Sequence, residues 1–205
     1  QFWQTEYCIL EKNDECGQGG GRDLGMNTAL FVARLIHSDL TIANATQWSW
    51  WLACSVSDFK DGLVYADPVD PTNTEGKWTA FQHDGIVRSS KLLWALGNFS
   101  RFVRPGMVRV DVSYDDNRSL EDAAKSVMAS AYVDKKTSDL VIVLINTTKD
   151  QQPVNISDLG DLRIKDNTFA TYTTSETSDL AKGSTKADEV VLPPRSVVTL
   201  VGKTK

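Results

Sequence analysis

The spacing of apolar residues changes near residue 100, and this change constrains the fold more than any other feature of the sequence. Before that point, apolar side chains recur at helical spacing over 27–42 and again from Ile86 to Phe99. Beyond Pro105 and Gly106 the helical period gives way to short β-rich runs, with at most a brief turn around 119–124. The chain is therefore predicted to combine an α/β part with an all-β part.

Two strand-like segments alternate with these helices in the first part of the chain. Phe2 to Leu10 is predicted to be one strand, and the aromatic segment from Ala45 to Cys54 another. Strand, helix, strand, helix is the pattern of parallel βα units. Two such units cannot close a sheet, so further units are expected to precede Gln1. Asn27 or Thr28 can cap the first helix.

The second part carries short β-rich runs separated by Asp, Asn, Gly and Pro. The runs are Val108 to Tyr114, Ser126 to Val133, Leu140 to Asn146, Val154 to Ile156, Thr168 to Thr173, Val190 to Leu192 and Val197 to Val201. A spacing of roughly a dozen residues is typical of an antiparallel β-sandwich. We predict an α/β part over 1–103 and a sandwich over 104–205.

Composition and charge exclude several classes of partner. The net charge of −5 and the isoelectric point near 5.1 argue against a nucleic-acid partner. No run approaches the roughly 18 apolar residues of a membrane-spanning helix, so no membrane span is expected. His37 and His83 stand far from any Cys-x-x-Cys spacing, so no metal site is predicted.

Three cysteines are too few for a disulfide scaffold, and their pairing stays open. Cys8 and Cys16 are close enough in sequence to close a small loop if the protein is secreted. Cys54 would then be left over, and we expect it to be a buried small side chain.

Glu6 is the carboxylate that the sequence singles out for chemistry. It stands at the C-terminal end of a predicted parallel strand, where barrel enzymes place their reacting groups. Phe2, Trp3 and Tyr7 surround it with rings that can form flat walls for a sugar. A retaining glycosidase needs such a carboxylate to attack an anomeric carbon. The simpler alternative is an ordinary exposed or hydrogen-bonded carboxylate at the end of a strand.

A second aromatic group, QWSWWLA at 47–53, carries three tryptophans in four positions. On a strand, Trp48 and Trp50 face one way, while Ser49 and Trp51 face the other. One set can pack against helices while the other lines the mouth of a barrel. Plain core packing is the alternative, and it must hold for at least one of the two faces.

Four segments, in order along the chain, resemble glycoside hydrolase family 30. They are WQTEYC at 3–8, TQWSWWLA at 46–53, LGNFSRFVRPG at 96–106 and LPPRSVVTLVG at 192–202. The resemblance implies the C-terminal portion of a (β/α)8 TIM barrel, strands seven and eight with their helices, followed by an antiparallel β-sandwich. It implies that Glu6 is the catalytic nucleophile and that Trp51 lines the subsite of the attacked sugar. It also makes Trp48, Ser49 and Tyr7 substrate-binding or supporting residues.

The resemblance further implies a reaction and a substrate class. It points to a retaining enzyme that cleaves a β-linked polysaccharide or oligosaccharide without a cofactor, most like the endo-β-1,6-galactanase branch. Xylanase, β-1,6-glucanase and glucosylceramidase activities are alternatives. The family's acid/base, a Glu in an Asn-Glu-Pro-like motif on the fourth strand, has no counterpart in this sequence. A missing N-terminal barrel half is expected to supply it. A secreted or periplasmic location follows by association with a polysaccharide substrate.

A non-catalytic carbohydrate-binding protein or a degenerate relative is the alternative outside the enzymes. A binding sandwich needs a planar row of exposed aromatic rings. From residue 107 onward the aromatic residues are Tyr114, Tyr132, Phe169 and Tyr172, and tryptophan is absent. This distribution predicts a supporting role for the sandwich.

Two loops are expected to shape the cleft. GQGGGRDLG at 17–25 lacks the spacing of a dinucleotide fingerprint and is predicted to be a mobile loop at the rim. The loop from Asp58 to Trp78 follows strand eight and carries acidic residues, but without the spacing of an EF-hand. His83 can cap the following helix or reach a sugar.

Overall fold

The structure is a computed structural model that describes residues 1–69, 85–157, 159 and 163–204. Its helices are α1 (Met26–Thr41), α2 (Lys91–Ser100) and α3 (Leu120–Ala124). The strands before residue 100 are β1 (Phe2–Gln4), β2 (Ala45–Trp48), β3 (Cys54–Ser55), β4 (Val64–Asp67) and β5 (Ile86–Ser89). Those after it are β6 (Val108–Val110), β7 (Val127–Asp134), β8 (Asp139–Asn146), β9 (Gln152–Val154), β10 (Thr168–Ser175), β11 (Ser178–Lys186), β12 (Val190–Leu192) and β13 (Ser196–Lys203). Trp78 and His83 lie outside the described residues.

The first part of the chain contains the predicted parallel pair. β1 lies parallel to β2, with Phe2 opposite Ala45 and Gln4 opposite Trp48, and α1 connects the two strands. A second small sheet follows, in which β3 is parallel to β4 and β4 is antiparallel to β5. α2 then leads into the second part.

The strands of this part are shorter than predicted. Regular pairing ends at Gln4 and at Trp48, although isolated backbone hydrogen bonds continue beyond both residues. The predicted helix over Ile86 to Phe99 is wrong at its start. Residues 86–89 form β5 because they pair with β4, and α2 begins only after Ser90, whose hydroxyl accepts a hydrogen bond from the Leu93 amide.

The start of α1 is held by Asp23 rather than by the predicted caps. The Asp23 carboxylate accepts from the backbone amides of Gly25 and Thr28, each at 2.8 Å, and from the Thr28 hydroxyl at 2.9 Å. A carboxylate at this end also complements the positive end of the helix dipole. The helix therefore begins at Met26, with Asp23 satisfying amides that the helix itself cannot pair.

The second part is built around a six-stranded antiparallel sheet with the order β11-β10-β13-β8-β7-β6. A two-stranded sheet of β9 and β12 forms the second layer. β8 pairs with β7 and β13 along its whole length. These layers confirm the predicted class, the C-terminal portion of a TIM barrel followed by an antiparallel sandwich. The boundary between 103 and 104 stays a prediction.

Both faces of the central strands of the large sheet are buried, each in its own hydrophobic cluster. One face packs against α1 and α2, with Val143 and Val197 among its buried side chains. The opposite face packs around Phe169, Leu144 and Leu192, the last of which comes from β12. The sandwich thus supports the barrel helices through an apolar interface. Within the described residues, no helix is long and apolar enough to cross a membrane.

Candidate active site

Glu6 lies two residues beyond the end of β1, and its side chain is exposed. Backbone hydrogen bonds continue from this strand to the segment after β2. The Ser49 amide donates to the Gln4 carbonyl at 2.9 Å, and the Trp51 amide donates to the Tyr7 carbonyl at 3.0 Å. Glu6 and Trp51 are therefore held at the C-terminal ends of neighbouring parallel strands, as the sequence predicted for its two motifs.

Three aromatic rings stack beneath this end of the strands. The centroid of Tyr7 lies 6.5 Å from that of Trp48 and 6.0 Å from that of Trp50, and the two indoles are 6.2 Å apart. All three rings pack against the cluster that includes α1. This arrangement agrees with the predicted face shared by Trp48 and Trp50, and it makes that face a packing surface.

Hydrogen bonds fix both of these indoles. The Trp48 Nε1 donates to the Asp39 carboxylate on α1 at 2.8 Å, and the Trp50 Nε1 donates to the Asp61 carbonyl at 2.7 Å. Both indoles are partly buried, and these bonds satisfy their N–H groups and fix the orientation of the rings. Their hydrogen bonds indicate that they support the site. A direct sugar contact by Trp48 stays a prediction.

Trp51 lies three residues beyond the end of β2 and is 51% exposed. Ser49, one residue beyond β2, accepts a hydrogen bond from the Gln47 side-chain amide. The indole of Trp51 is therefore the ring of the three-tryptophan motif that is open to solvent. An exposed, flat ring beside a carboxylate can stack on a sugar while the carboxylate reacts.

The neighbours of Glu6 in sequence are poorer nucleophiles. Burial is the largest cause of the raised pKa of Tyr7, and electrostatic interactions with Cys16, Cys8 and Asp39 raise this pKa further. Burial, followed by the carboxylates of Glu6 and Asp61, raises the pKa of the Cys8 thiol. Both groups therefore stay protonated at neutral pH, and a protonated thiol is a weak nucleophile. Among these three adjacent residues, only Glu6 offers an exposed carboxylate.

No disulfide closes beside the site, because the three cysteines are free thiols. Cys16 instead hydrogen-bonds to Asn13 within a tight turn. Cys54 is exposed, so the prediction that it is a buried small side chain is wrong. It lies in the two-residue strand β3, which is too short to be covered on both sides.

Hydrogen bonds join the glycine-rich segment to the loop that follows β3, and its mobility stays a prediction. The Gly21 amide donates to the Asp58 carbonyl at 2.9 Å, and the Lys60 amide donates to the Gly19 carbonyl at 2.8 Å. The Lys60 ammonium also donates to the carbonyls of Gln18 and Gly20. The segment therefore forms part of the rim together with this loop.

Arg22 anchors the same rim to β4. Its guanidinium pairs with Asp67, which also accepts from Arg88 at 3.0 Å, and it stacks over the Tyr65 ring at 4.6 Å. Hydrogen bonds from Arg22 and Arg88 lower the pKa of Asp67, the bond from Arg22 contributing most. Asp67 is therefore a structural anion, and it is unsuited to act as a proton donor.

Sequence reasoning missed the residues that position the site. Asp39 and Asp61 belong to no motif, because each acts through a contact made only when α1 or a loop folds against the strands. Tyr65 lies in β4, within the stretch 58–78 that the sequence predicts as a loop. It is 1% exposed, and its hydroxyl donates to the Phe59 carbonyl at 2.6 Å.

The barrel-type strand ends, the carboxylate and the supporting sandwich are features of a glycoside hydrolase. Two family models match the chain: O-Glycosyl hydrolase family 30 over residues 1–65, and the Glycosyl hydrolase family 30 beta sandwich domain over residues 106–200. The chain belongs to glycoside hydrolase family 30.

Solved structures agree with this assignment. A conserved exported protein from Bacteroides fragilis is 36% identical, with a TM-score of 0.83 over 98% of this chain and 38% of its own. The family 30 subfamily 8 xylanase from Clostridium acetobutylicum is 25% identical, with a TM-score of 0.61 over 98% and 42%. Xylanase C of family 30 from Talaromyces cellulolyticus, 22% identical, shares the fold with a TM-score of 0.69 over 98% and 40%. The chain thus spans about two fifths of the length of these structures.

Proposed function

We propose that the protein is a retaining glycoside hydrolase of β-linked polysaccharides in which Glu6 is the nucleophile. The observation that carries this proposal is the juxtaposition of the exposed Glu6 with the exposed Trp51 at adjacent strand ends, joined by the Tyr7–Trp51 backbone hydrogen bond. The rigid stack beneath them favours a preorganised site, because its rings and hydrogen bonds limit movement of both strand ends.

The reaction proceeds by double displacement. A Glu6 carboxylate oxygen bonds to the anomeric carbon as the glycosidic C–O bond breaks, and the departing oxygen takes a proton from an acid. Water then attacks the same carbon, and the bond between this carbon and Glu6 breaks, which releases the carboxylate. The residue that acted as the acid now acts as a base and accepts a proton from the water. No cofactor takes part in these steps.

The second carboxyl group is expected from a preceding segment of a longer protein. Retention needs two carboxyl groups roughly 5–5.5 Å apart. This sequence lacks the Asn-Glu-Pro-like motif that carries the acid/base in the family. The solved relatives, which are more than twice as long as this chain, support a partner segment of this kind.

The preferred substrate is a β-1,6-galactan, and xylan is the second candidate. Resemblance of the EYC and WSWWLA segments to the endo-β-1,6-galactanase branch favours the galactan. The similarity to two family 30 xylanases favours xylan. The exported relative from Bacteroides fragilis supports a secreted or periplasmic location, where such polymers occur.

A binding sandwich without catalysis is disfavoured by the positions of its aromatic rings. Tyr132 and Phe169 are buried, and the Tyr114 hydroxyl accepts from the Ala129 amide. Tyr172 packs against Phe102 with ring centroids 4.3 Å apart. Among the described residues of 104–205, these rings serve packing and form no open platform.

The test is to digest β-1,6-galactan, xylan and β-1,6-glucan with the complete protein and with its Glu6→Ala variant. We expect one polymer to be cleaved by the wild type and not by the variant. Azide added to Glu6→Ala should restore turnover of an activated aryl glycoside, because it can occupy the space left by the carboxylate and attack the sugar itself. Cleavage by Glu6→Ala at the wild-type rate would disprove the assignment of the nucleophile.

A further inference from the structure

One exposed aromatic ring at the rim is not explained by the reacting centre. Phe59 lies in the loop between β3 and β4 and is 40% exposed. Its backbone forms a bridge with Gly20 in the glycine-rich segment. The glycine-rich segment is hydrogen-bonded to this loop, so Phe59 lies beside the chain that continues from Glu6.

Gly19 brings the Phe59 ring close to the chain that leaves Glu6. A Cβ at Gly19 would lie 2.0 Å from the Ile9 carbonyl oxygen and 2.9 Å from Cε1 of Phe59. Only glycine permits this approach, because any side chain would collide with the Ile9 backbone. Ile9 is three residues beyond Glu6, and three residues span at most roughly 10 Å. The ring is thus within reach of an oligosaccharide whose reacting sugar sits at Glu6.

The backbone that presents the ring is fixed. The Tyr65 hydroxyl donates to the Phe59 carbonyl at 2.6 Å and accepts from the Gly62 amide at 3.1 Å. Tyr65 itself is buried beneath the Arg22 guanidinium. Lys60, the next residue, is bonded to two carbonyls of the glycine-rich segment. A preorganised exposed ring loses little entropy when a ligand stacks on it.

We propose that Phe59 is a specificity-determining residue that stacks on a sugar of the bound chain beyond the sugar attacked by Glu6. This inference rests on the proposed function. It also specifies the ligand, because a second ring away from Trp51 favours binding of a longer β-linked oligosaccharide over binding of a disaccharide. Trp51 serves the reacting sugar, and Phe59 serves a more distant one.

The experiment measures binding by calorimetry in the complete protein carrying Glu6→Gln, which prevents turnover. The probes are β-1,6-galactooligosaccharides and β-1,4-xylooligosaccharides, from the disaccharide to the hexasaccharide. Adding Phe59→Ala or Phe59→Leu should weaken hexasaccharide binding about tenfold and leave disaccharide binding unchanged. Phe59→Tyr should retain the wild-type affinity for both, because it keeps the ring.

Leu120→Ala is the control, since Leu120 is 58% exposed but lies in α3 of the second part of the chain. It should not change binding of any probe. Equal hexasaccharide affinity in Phe59→Ala, Phe59→Leu and the parent would overturn the inference while the proposed function stands. If the parent binds neither series at any length, the proposed substrate class is wrong and the inference falls with it. Thermal unfolding of each variant checks that the fold is intact.

Discussion

The two parts of the chain use β-structure in different ways. In the sandwich, β7, β8, β10 and β13 each span eight residues. Before residue 100, the described strands span two to four residues each. Long, doubly covered strands build stability from complete ladders and two cores. Short strands end early, and Glu6 and Trp51 emerge where they end. The long ladders and the proposed reacting residues therefore lie in different regions of one molecule.

The largest expected effect tests this division at Glu6. Glu6→Gln should lower kcat/KM of the complete protein on the order of 10⁴-fold, because a neutral amide cannot form the glycosyl-enzyme bond. The melting temperature should stay at the wild-type value, since the side chain is exposed. Steady-state kinetics and thermal unfolding measure the two quantities. A large fall in melting temperature would mean that Glu6 also supports the fold.

A core substitution in the sandwich should have the opposite profile. Leu144 is 1% exposed in the central strand β8. Leu144→Ala should reduce the free energy of unfolding by about 3 kcal/mol, from lost apolar contact and a residual cavity. Val191→Ala, at an apolar side chain that is 49% exposed, is the control and should cost far less. Urea denaturation measures both, and equal losses would contradict the assignment of stability to the sandwich core.

The contact between the two parts should weaken in acid because of His37. This residue is buried on α1, and burial, followed by the charge of Arg109, lowers its pKa to about 4. A lowered folded-state pKa means that the neutral form is favoured, so this contribution is complete above about pH 6.5 and is lost as the pH falls toward 4. The shift corresponds to about 3 kcal/mol.

Urea denaturation of the wild type and of His37→Gln at pH 7 and pH 4 isolates this effect. The wild type should lose more stability than the variant over that interval, because the variant has no imidazole to protonate. Carboxylates that titrate in the same range contribute equally to both proteins and cancel in the difference. Identical losses would show that His37 does not titrate within the folded contact.

A smaller effect is expected at the polar link between α2 and the large sheet. Asn98 is fully buried, and its side-chain amide donates to the Tyr172 carbonyl at 2.8 Å and to the Thr199 hydroxyl at 2.9 Å. Asn98→Ala should cost about 2 kcal/mol, because the Tyr172 carbonyl loses a buried partner. The exposed Asn155 provides the control, Asn155→Ala.

This variant also tests whether the two parts unfold together. All six tryptophans precede residue 100, so fluorescence reports the first part, while circular dichroism reports mainly the sheet. If the fluorescence and circular dichroism transitions coincide in the wild type but separate in Asn98→Ala, Asn98 couples the unfolding of the two parts. Coincident transitions in both proteins would limit its role to local stability.

Local pattern alone determined much of this protein. The runs at 140–146 and 190–192 carry enough β-branched and apolar residues to be recognised, and the structure has strands at both places. α1 has an apolar period long enough to identify, and its ends differ from the prediction by one residue. The placement of Glu6 and the WSWWLA segment at neighbouring strands was predicted from the two motifs and from their order along the chain. Each of these features depends on side chains within one segment.

Tertiary contacts decided the rest. β11 has no apolar alternation, and it forms because its backbone pairs with β10. Strand β5 was not predicted, because Ile86 and Val87 fit a helical period. These residues form a strand because they pair with β4. The support of the site by Asp39, Asp61 and Tyr65 also depends on distant segments. Such contacts leave no periodic signal in the sequence, because each joins single residues that only the folded chain brings together.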